Sequence, residues 1–351
     1  MRGLLLLPAV LAATAAAGGC TSLPGPVTAR GQSPFAELLA RQSDEPKDAQ
    51  TKSGNDKDRD GKKNGDKKKE DGGKKDQDEK DKKKEKGPPK TLFEWAIGPE
   101  EEDQPEEEDW IETDRPDFTE SAKTVGLGRV QLEAGYTYTR DRAGGSNRIT
   151  QTYPETLLRV GVLADWLELR LGPNYVHSRT TTFGQTTEHL SGLDDLYLGT
   201  KVALTEQKGY LPETGIIFQA TVPTGGPGIT SDRVLPGVNF VYGLDVVKDL
   251  LAVSGEFQAN RAIDPDGHGY VELSQSVSLG YTFTKQFGAY TEWFAFYPTG
   301  ALSPGVTAQH YFDAGVTYKF TPDFQLDVRA GWGLSRRADD FFAGAGFAVR
   351  Y

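Results

Sequence analysis

The chain has 351 residues, a formal net charge of −11 and a mean hydropathy of −0.54, values that resemble those of a soluble protein. Most of this polarity lies in residues 44–90, and the folded part, from about residue 128 onward, has about 230 residues, enough for one barrel and too few for two large domains. The single cysteine, Cys20, excludes a disulfide framework.

The N terminus has the features of an export signal over residues 1–20. Arg2 supplies a positive charge, and residues 4–17 form an apolar run that is too short to cross a bilayer. The three alanines at 15–17 suit an ordinary signal peptidase, whereas the stretch that ends at Cys20 resembles a bacterial lipobox, whose cysteine is lipidated. Cys20 is therefore either a lipidation site or a chance cysteine in a leader that is removed.

A Lys/Asp-rich stretch follows over residues 21–90, with scarcely an apolar side chain after residue 43. Such a stretch cannot bury enough surface to offset its chain entropy, so we expect a disordered tether. Its nearly balanced charge argues against nucleic-acid binding, and contact with the cell wall stays open. Residues 91–127, which include an acidic run at 100–109, are expected to be a periplasmic segment that could form an inner plug.

From residue 128 onward the sequence alternates between apolar and polar side chains. Val130, Leu132 and Ala134, for example, alternate with Gln131 and Glu133. A period of two predicts strands with one apolar and one polar face. Twelve strands are predicted, at residues 128–140, 150–163, 167–178, 193–204, 214–223, 236–245, 250–261, 270–283, 287–297, 309–320, 324–334 and 341–351. The expected fold of residues 128–351 is all-β, a closed antiparallel up-and-down transmembrane β-barrel of about 12 strands.

The connections between these strands are of two kinds. Tight turns are predicted at residues 164–166, 284–286 and 321–323, and loose loops at 179–192, 223–236 and 297–309. Alternation of this kind is typical of a membrane barrel, with short turns on the periplasmic side and longer loops outside. With an even number of strands, the first strand begins and the last strand ends on the same side of the membrane. We therefore expect an outer-membrane location with the tether in the periplasm.

Aromatic side chains mark both ends of the predicted strands, as they do where rings lie at the lipid headgroups. The predicted belts comprise Trp166, Phe283, Phe287, Phe320 and Phe324 at the tight turns, and Tyr138, Tyr175, Tyr270, Tyr297 and Phe341 at the other end. The last strand ends on Tyr351, with Phe347 and Val349 on the same face. This ending resembles the C-terminal signal by which barrel-assembly machinery recognises its clients, so that machinery and outer-membrane lipid are the expected partners.

The polar face of each strand is expected to line the lumen, because a charge at mid-bilayer would cost roughly 2–4 kcal/mol for Arg or Lys. The lumen candidates are Glu133, Arg159, Glu168, Arg170, Lys201, Glu256, Glu292, Asp313, Asp327 and Arg329. Twelve strands close at a backbone radius of about 12 Å, which leaves at most a narrow pore. Alternatively, these charges pair with one another and fill the barrel.

Residues 113–121 (Thr-Asp-Arg-Pro-Asp-Phe-Thr-Glu-Ser), together with residues 128–138, resemble the opening of a bacterial outer-membrane family named for the MetA pathway of phenol degradation. The resemblance implies a barrel that helps aromatic or apolar compounds to cross the outer membrane. From the residues themselves, Arg115 and Asp117 flank Pro116, which fixes an extended turn. They are expected either to enter the barrel mouth as a plug or to form a plain turn before the first strand.

No catalytic residue, metal site or cofactor is predicted. The chain has four histidines, and His177 and Ser178 are adjacent on a strand, so they point to opposite faces and cannot pair as a hydrolase would require. The sequence thus favours a passive channel or transporter for small solutes, a class that includes aromatic and apolar compounds. The alternatives are a plugged structural barrel tethered by its charged tail and, less favoured, a barrel lipid hydrolase.

Overall fold

The structure, a computed structural model, describes residues 89–95 and 109–351. The predicted leader, Cys20 and residues 21–88 of the predicted tether lie outside the described residues. No helix in the described part of the chain is long and apolar enough to cross a membrane.

Fifteen strands form one antiparallel sheet that closes on itself, because the last strand pairs with the first from Gln131 opposite Arg350 to Arg140 opposite Phe341. The strands are β1 (Val130–Ala143), β2 (Ser146–Tyr153), β3 (Leu157–Gly161), β4 (Leu167–Gly172), β5 (Tyr175–Thr182), β6 (Gln185–Leu193), β7 (Leu196–Thr205), β8 (Glu213–Val222), β9 (Leu235–Val247), β10 (Leu251–Ile263), β11 (Gly269–Thr282), β12 (Phe287–Thr299), β13 (Gln309–Thr321), β14 (Phe324–Gly333) and β15 (Phe341–Arg350).

These fifteen strands make twelve passes through the barrel wall, as predicted. β2 and β3 continue one another, as do β4 and β5, and β6 and β7, since each pair contacts the same neighbouring passes. Two of the interruptions fall at Pro154 and Pro173, which have no N–H to donate to the ladder. The third falls at Asp194 and Asp195. The prediction of a closed, twelve-stranded antiparallel barrel is confirmed.

The two faces of the wall have the polarity of a membrane barrel. Outward-facing Phe218 and Val328 are 54% and 50% exposed, whereas inward-facing Lys201 and Glu256 are 0% exposed. A soluble protein of this size would bury the first pair and expose the second. The inversion follows directly from the period of two in the sequence.

The barrel has two distinct ends. We call the end that holds Val130 and Tyr351 the turn end, and the opposite end the loop end. Connections at the turn end span residues 162–166, 206–212, 248–250, 283–286 and 322–323, and those at the loop end include 223–234, 264–268, 300–308 and 334–340.

The predicted loose loop at residues 179–192 is wrong. β5 and β6 continue through this stretch as a hairpin whose turn is Phe183-Gly184, both with positive φ. β1 and β2 likewise meet in a two-residue turn, Gly144-Gly145. Threonines are good strand formers on either face of a sheet, so this polar stretch lacks the alternation of a lipid-facing strand and yet extends the wall beyond the apolar band.

The aromatic belts are present with one exception. Tyr136, Tyr153 and Tyr175 stack in a row on the outward face near the loop end, with ring centroids 6.4 and 5.3 Å apart. Near the turn end, Phe283 packs on Phe287 and Phe320 on Phe324. The assignment of Tyr270 to a belt is wrong, because its side chain is 3% exposed and packs inside the barrel with Leu235 and Ile263.

The face assignment predicts different costs for two arginines, one on the outward face of β14 and one just beyond its last residue. Val328→Arg places a charge at mid-bilayer, between Val316 and Ala345, and is expected to lower the stability of the membrane-inserted barrel by about 2–4 kcal/mol. Leu334→Arg, beyond Trp332, is the matched control and should cost about 0–1 kcal/mol. Urea titration of barrels folded into lipid vesicles measures both, and equal losses would contradict the assignment.

Candidate functional site

Residues 109–127 enter the barrel from the turn end and lie in the lumen. The backbone N–H of Ile111 donates to the carbonyl of Pro322 at the rim, 2.6 Å away, and Ile111, Phe118, Ala122 and Val125 are buried. We call residues 109–127 the lumen segment. The segment has no strand or helix of its own, so its backbone groups need partners from the wall.

Four carboxylates of the wall supply acceptors for backbone N–H groups of the lumen segment. Glu133 accepts from Asp114 at 3.1 Å, and Glu292 accepts from Phe118 and Thr119 at 2.6 and 2.8 Å. Glu256 and Glu168 accept in the same way from Glu120 at 3.2 Å and from Val125 at 2.9 Å. Each of these backbone donors would otherwise be buried without a partner, so the carboxylates hold the path of the segment.

Three cations of the wall face carboxylates of the lumen segment. Lys201 Nζ lies 2.9 Å from both oxygens of Asp114, and Arg170 makes a two-pronged contact with Glu120 at 2.9 and 3.1 Å. Arg159 reaches Asp114 at 3.5 Å and binds Glu168 through two nitrogens. Burial alone would raise the pKa of Asp114, but the nearby charges of Arg159, Lys201 and Arg170 hold it below its ordinary value.

Arg115 projects from the lumen segment against a part of the wall where two glycines, Gly135 and Gly346, have no side chains. Its guanidinium contacts Glu155 at 2.9 Å and Asp327 at 3.4 Å. A Cβ on Gly135 or Gly346 would come within 2.2 or 2.4 Å of the Arg115 side chain, so the close approach requires glycine at both positions. Arg329 lies on the same side and donates to the carbonyl of Pro116 at 2.7 Å.

Asp117 of the lumen segment faces carboxylates of the wall, those of Asp313 and Glu292. It accepts a hydrogen bond from Ser278 at 3.3 Å. Burial, followed by the negative charge of Asp313, raises the pKa of Asp117 from 3.8 to about 7. The charged form of this side chain therefore disfavours the docked segment.

Above the lumen segment, the loop-end half of the barrel encloses a cavity of about 340 Å³. We call this cavity the vestibule; its floor is formed by Asp114, Arg115, Pro116, Asp117 and Phe118. One wall is aromatic and comprises Phe294, Phe296, Tyr311 and Phe342, with Phe118 of the floor packed against it. Polar residues line other parts of the wall, among them Arg170, Asn174, Asp195, Gln219, Thr221 and Asn260.

The aromatic wall is stacked and continuous. Phe294 packs between Phe118 and Tyr311, with parallel rings whose centroids are 4.8 and 4.9 Å away. Phe296 meets Phe118 edge-on at 5.4 Å, and the guanidinium of Arg329 lies 5.5 Å from the ring centroid of Phe342. A cavity of this size with one aromatic wall and a polar one suits a small amphipathic ring compound.

Nine of the ten lumen candidates are buried inside the barrel and Arg329 is half-buried there, and most of the ten contact the lumen segment. Arg115 and Asp117 lie within the same segment. The aromatic wall, however, has no counterpart in the predicted site. A signal was present, because Phe294 and Phe296 share the face of Glu292, and Tyr311 shares that of Asp313.

The histidine and serine of β5 lie on opposite faces. Ser178 is buried in the lumen, where its hydroxyl lies 3.1 Å from that of Thr150. His177 contacts Ser191 at 3.2 Å on the outward face and packs edge-on against His189. Neither arrangement presents a nucleophile to a base and an orienting group inside the vestibule.

A further acidic group lies at the loop end. The side chains of Asp264, Asp266 and His268 each offer a ligand atom within 4.8 Å of the others. Both oxygens of Asp264 already accept backbone N–H groups, two from residues of its own turn and two from Leu302 and Ser303 of the next loop. The group thus ties two loops together.

Comparison with known proteins gives a family and a fold. The family model described as "Putative MetA-pathway of phenol degradation" matches residues 113–351. An outer membrane channel from Pseudomonas putida F1 is similar in fold, with 14% identity and a TM-score of 0.53 over 66% of this chain and 98% of that one.

Two porin structures are similar at lower scores. The NanC porin is 9% identical, with a TM-score of 0.40 over 63% of this chain and 98% of its own. The KdgM porin, in complex with disordered oligogalacturonate, is 11% identical, with a TM-score of 0.39 over 62% and 98%. No curated protein matches the chain.

The raised pKa of Asp117 predicts that docking of the lumen segment depends on pH. The pKa of Asp117 in the docked segment lies above its ordinary value. The contribution of this carboxyl group to docking is therefore fully present below about pH 4 and is lost as the pH rises through about 7. Hydrogen-exchange protection factors of the Phe118 and Thr119 amides are expected to fall by up to about a hundredfold from pH 5 to pH 8. Asp117→Asn should remove this dependence, and a variant that keeps it would show that another group is responsible.

Proposed function

Because the chain belongs to the family described as the MetA-pathway of phenol degradation, and its barrel carries an aromatic vestibule, we propose that it is a passive outer-membrane channel for small aromatic or apolar solutes. The observation that carries the proposal is the vestibule itself: a lumen cavity reached from the loop end, one wall of which is formed by stacked rings. A barrel with a purely structural role would have no need of a ring-lined cavity.

The lumen segment is the gate of this channel. It closes the turn-end half of the lumen mainly through polar contacts within hydrogen-bond distance, and the chain joins it to the wall where residues 128–129 lead into β1. A polar segment held in this way can leave as a unit when its ion pairs are broken, because water in the opened lumen would then solvate both sides. Solutes that collect in the vestibule would pass when the segment withdraws.

In this proposal the loop end faces the outside of the cell and the turn end faces the periplasm. The tight turns at 283–286 and 322–323 lie at the turn end, where the lumen segment also enters. Short turns on the periplasmic side are the rule for barrels of the outer membrane. A solute would therefore meet the vestibule first and the gate second.

The gate is tested by single-channel recording in planar bilayers. Asp114→Asn removes the charge shared by Lys201, Arg170 and Arg159, and loss of a buried partner costs about 3–5 kcal/mol. We expect a wild type that is mostly closed and a variant whose open probability is higher by about tenfold or more.

The matched control is Asp109→Asn, which also removes an aspartate paired with arginines, Arg129 and Arg350, but at a half-exposed site on the rim. An exposed pair contributes about 0–1 kcal/mol, so its gating should stay close to that of the wild type. A non-conducting Asp114→Asn variant that is correctly folded would instead favour the second candidate, a plugged structural barrel, for which the filled turn-end half is the supporting observation.

The proposed solute class predicts an effect of one ring in the vestibule. Phe294→Leu removes the ring that stacks with Phe118 and Tyr311 and should weaken binding of phenol, used as a probe, by about three- to tenfold, since an aromatic pair contributes about 0.5–1.5 kcal/mol. Phe257→Leu, on the lipid-facing wall, is the control and should leave binding unchanged. Titration of detergent-purified protein measures both, and equal affinities of wild type and Phe294→Leu would contradict the assignment.

A further inference from the structure

One sector of the outward wall is basic at the loop end. Arg140 of β1 lies opposite Ile149 of β2, which lies opposite Arg179 of β5, and Arg179 lies opposite His189 of β6. These positions form one line across four strands, so the line is about 14 Å long at a strand spacing of about 4.8 Å. Arg142, two residues after Arg140, and His177, two residues before Arg179, lie on the same outward face. We call these five cationic or titratable residues the basic row: Arg140, Arg142, His177, Arg179 and His189.

Carboxylates do not neutralise Arg140 or Arg179. Among the described residues, Arg140 donates to Asn147 at 3.0 Å and Arg179 to Thr186 at 2.7 and 3.1 Å, and neither has a carboxylate partner. The nearby carboxylates of Asp141 and Asp339 are both bound by Arg148, which points to the lumen. The guanidinium groups therefore keep free donors on the outside of the barrel.

The basic row lies immediately beyond the tyrosine stack of Tyr136, Tyr153 and Tyr175. Aromatic belts mark the level of the lipid headgroups, so the row lies at or just above the headgroups of the loop-end leaflet. On the other side of β1, the outward positions at this level are instead Phe341 and Trp332, which pack on one another. The positive sector is thus confined to one part of the circumference.

From this placement we infer that the basic row binds the phosphate groups of a phosphorylated glycolipid in the outer leaflet, and so fixes lipid at one sector of the barrel. Arginine suits this ligand because its planar fork of N–H groups matches two phosphate oxygens at once. Two arginines about 10 Å apart can contact two phosphates of one headgroup or of neighbouring lipids. The inference rests on the proposed orientation, in which the loop end faces outward.

The test uses the full chain purified in detergent and lipid A as the probe. Arg140→Gln combined with Arg179→Gln is expected to weaken lipid A binding by about tenfold or more, since each basic residue near a charged membrane surface contributes about a factor of five. Arg140→Lys combined with Arg179→Lys keeps the charge and loses the planar guanidinium. Its affinity for lipid A should lie between those of the wild type and the glutamine double variant. The matched control, Lys208→Gln combined with Lys285→Gln, removes the same charge at the turn end and should bind as the wild type does.

Three results would overturn the inference: a glutamine double variant that binds lipid A as tightly as the wild type, dephosphorylated lipid A that binds equally well, or inorganic phosphate that displaces the lipid at micromolar concentration. The last result would assign the row to a soluble anion. The heat-dependent gel mobility of each folded barrel confirms that a loss is not due to misfolding.

The orientation is checked separately on intact cells with Gln185→Cys, at the exposed tip of the β5–β6 hairpin, and a membrane-impermeant maleimide. Labelling there, with none at Lys208→Cys, is the expected result. The opposite pattern would overturn both the orientation and the glycolipid assignment, whereas the conductance of Asp114→Asn would be unaffected. Failure of the lipid inference and failure of the channel proposal are therefore distinguishable.

Discussion

The structure depends on the neutralisation of buried charge by a segment that is not part of the wall. Lys201, Arg170 and Arg159 are almost completely buried, and without Asp114 the three cations would repel one another in a lumen of low polarisability. The wall carboxylates are equally dependent on the segment, because they accept its backbone N–H groups. Wall and segment are each incomplete alone, and this mutual requirement closes one half of the barrel while leaving the other half open.

The vestibule exists because the lumen segment turns back before it reaches the loop end. The chain runs inward from Ile111 to Phe118 and returns to Val125 at the turn end, so it reaches only part of the way along the lumen. Phe118 lies at the far point of this path and packs against Phe294. The charged contacts lie below that ring and the aromatic wall lies around and above it. A single segment thus provides both the seal and the floor of the cavity.

Much of this architecture could be predicted from the sequence, because the membrane forces a period of two and an even number of strands. That pattern located twelve passes and placed residues such as Glu256 and Asp327 inside. The path of the lumen segment has no such signal, since an irregular chain is directed by partners that are distant in sequence: Thr119 meets Glu292 and Arg115 meets Asp327. The β5–β6 hairpin was missed for a related reason, because strands above the membrane lose the apolar alternation that identifies the others.

The aromatic wall shows how far hydrophobicity alone can mislead about a barrel. Phe294 in the lumen and Phe312 on the lipid face are equally apolar, and only their phase along the strand separates them: Phe294 is in step with Glu292, whereas Phe312 alternates with Asp313. Charged residues fix the phase because their burial against lipid is costly. An apolar residue that shares the face of a lumen charge points inward, so contact with lipid does not explain why it is apolar. In this barrel those residues, Phe294, Phe296 and Tyr311 among them, converge on the vestibule, so the phase of the strands, which the membrane imposes, also identifies the lining of this cavity.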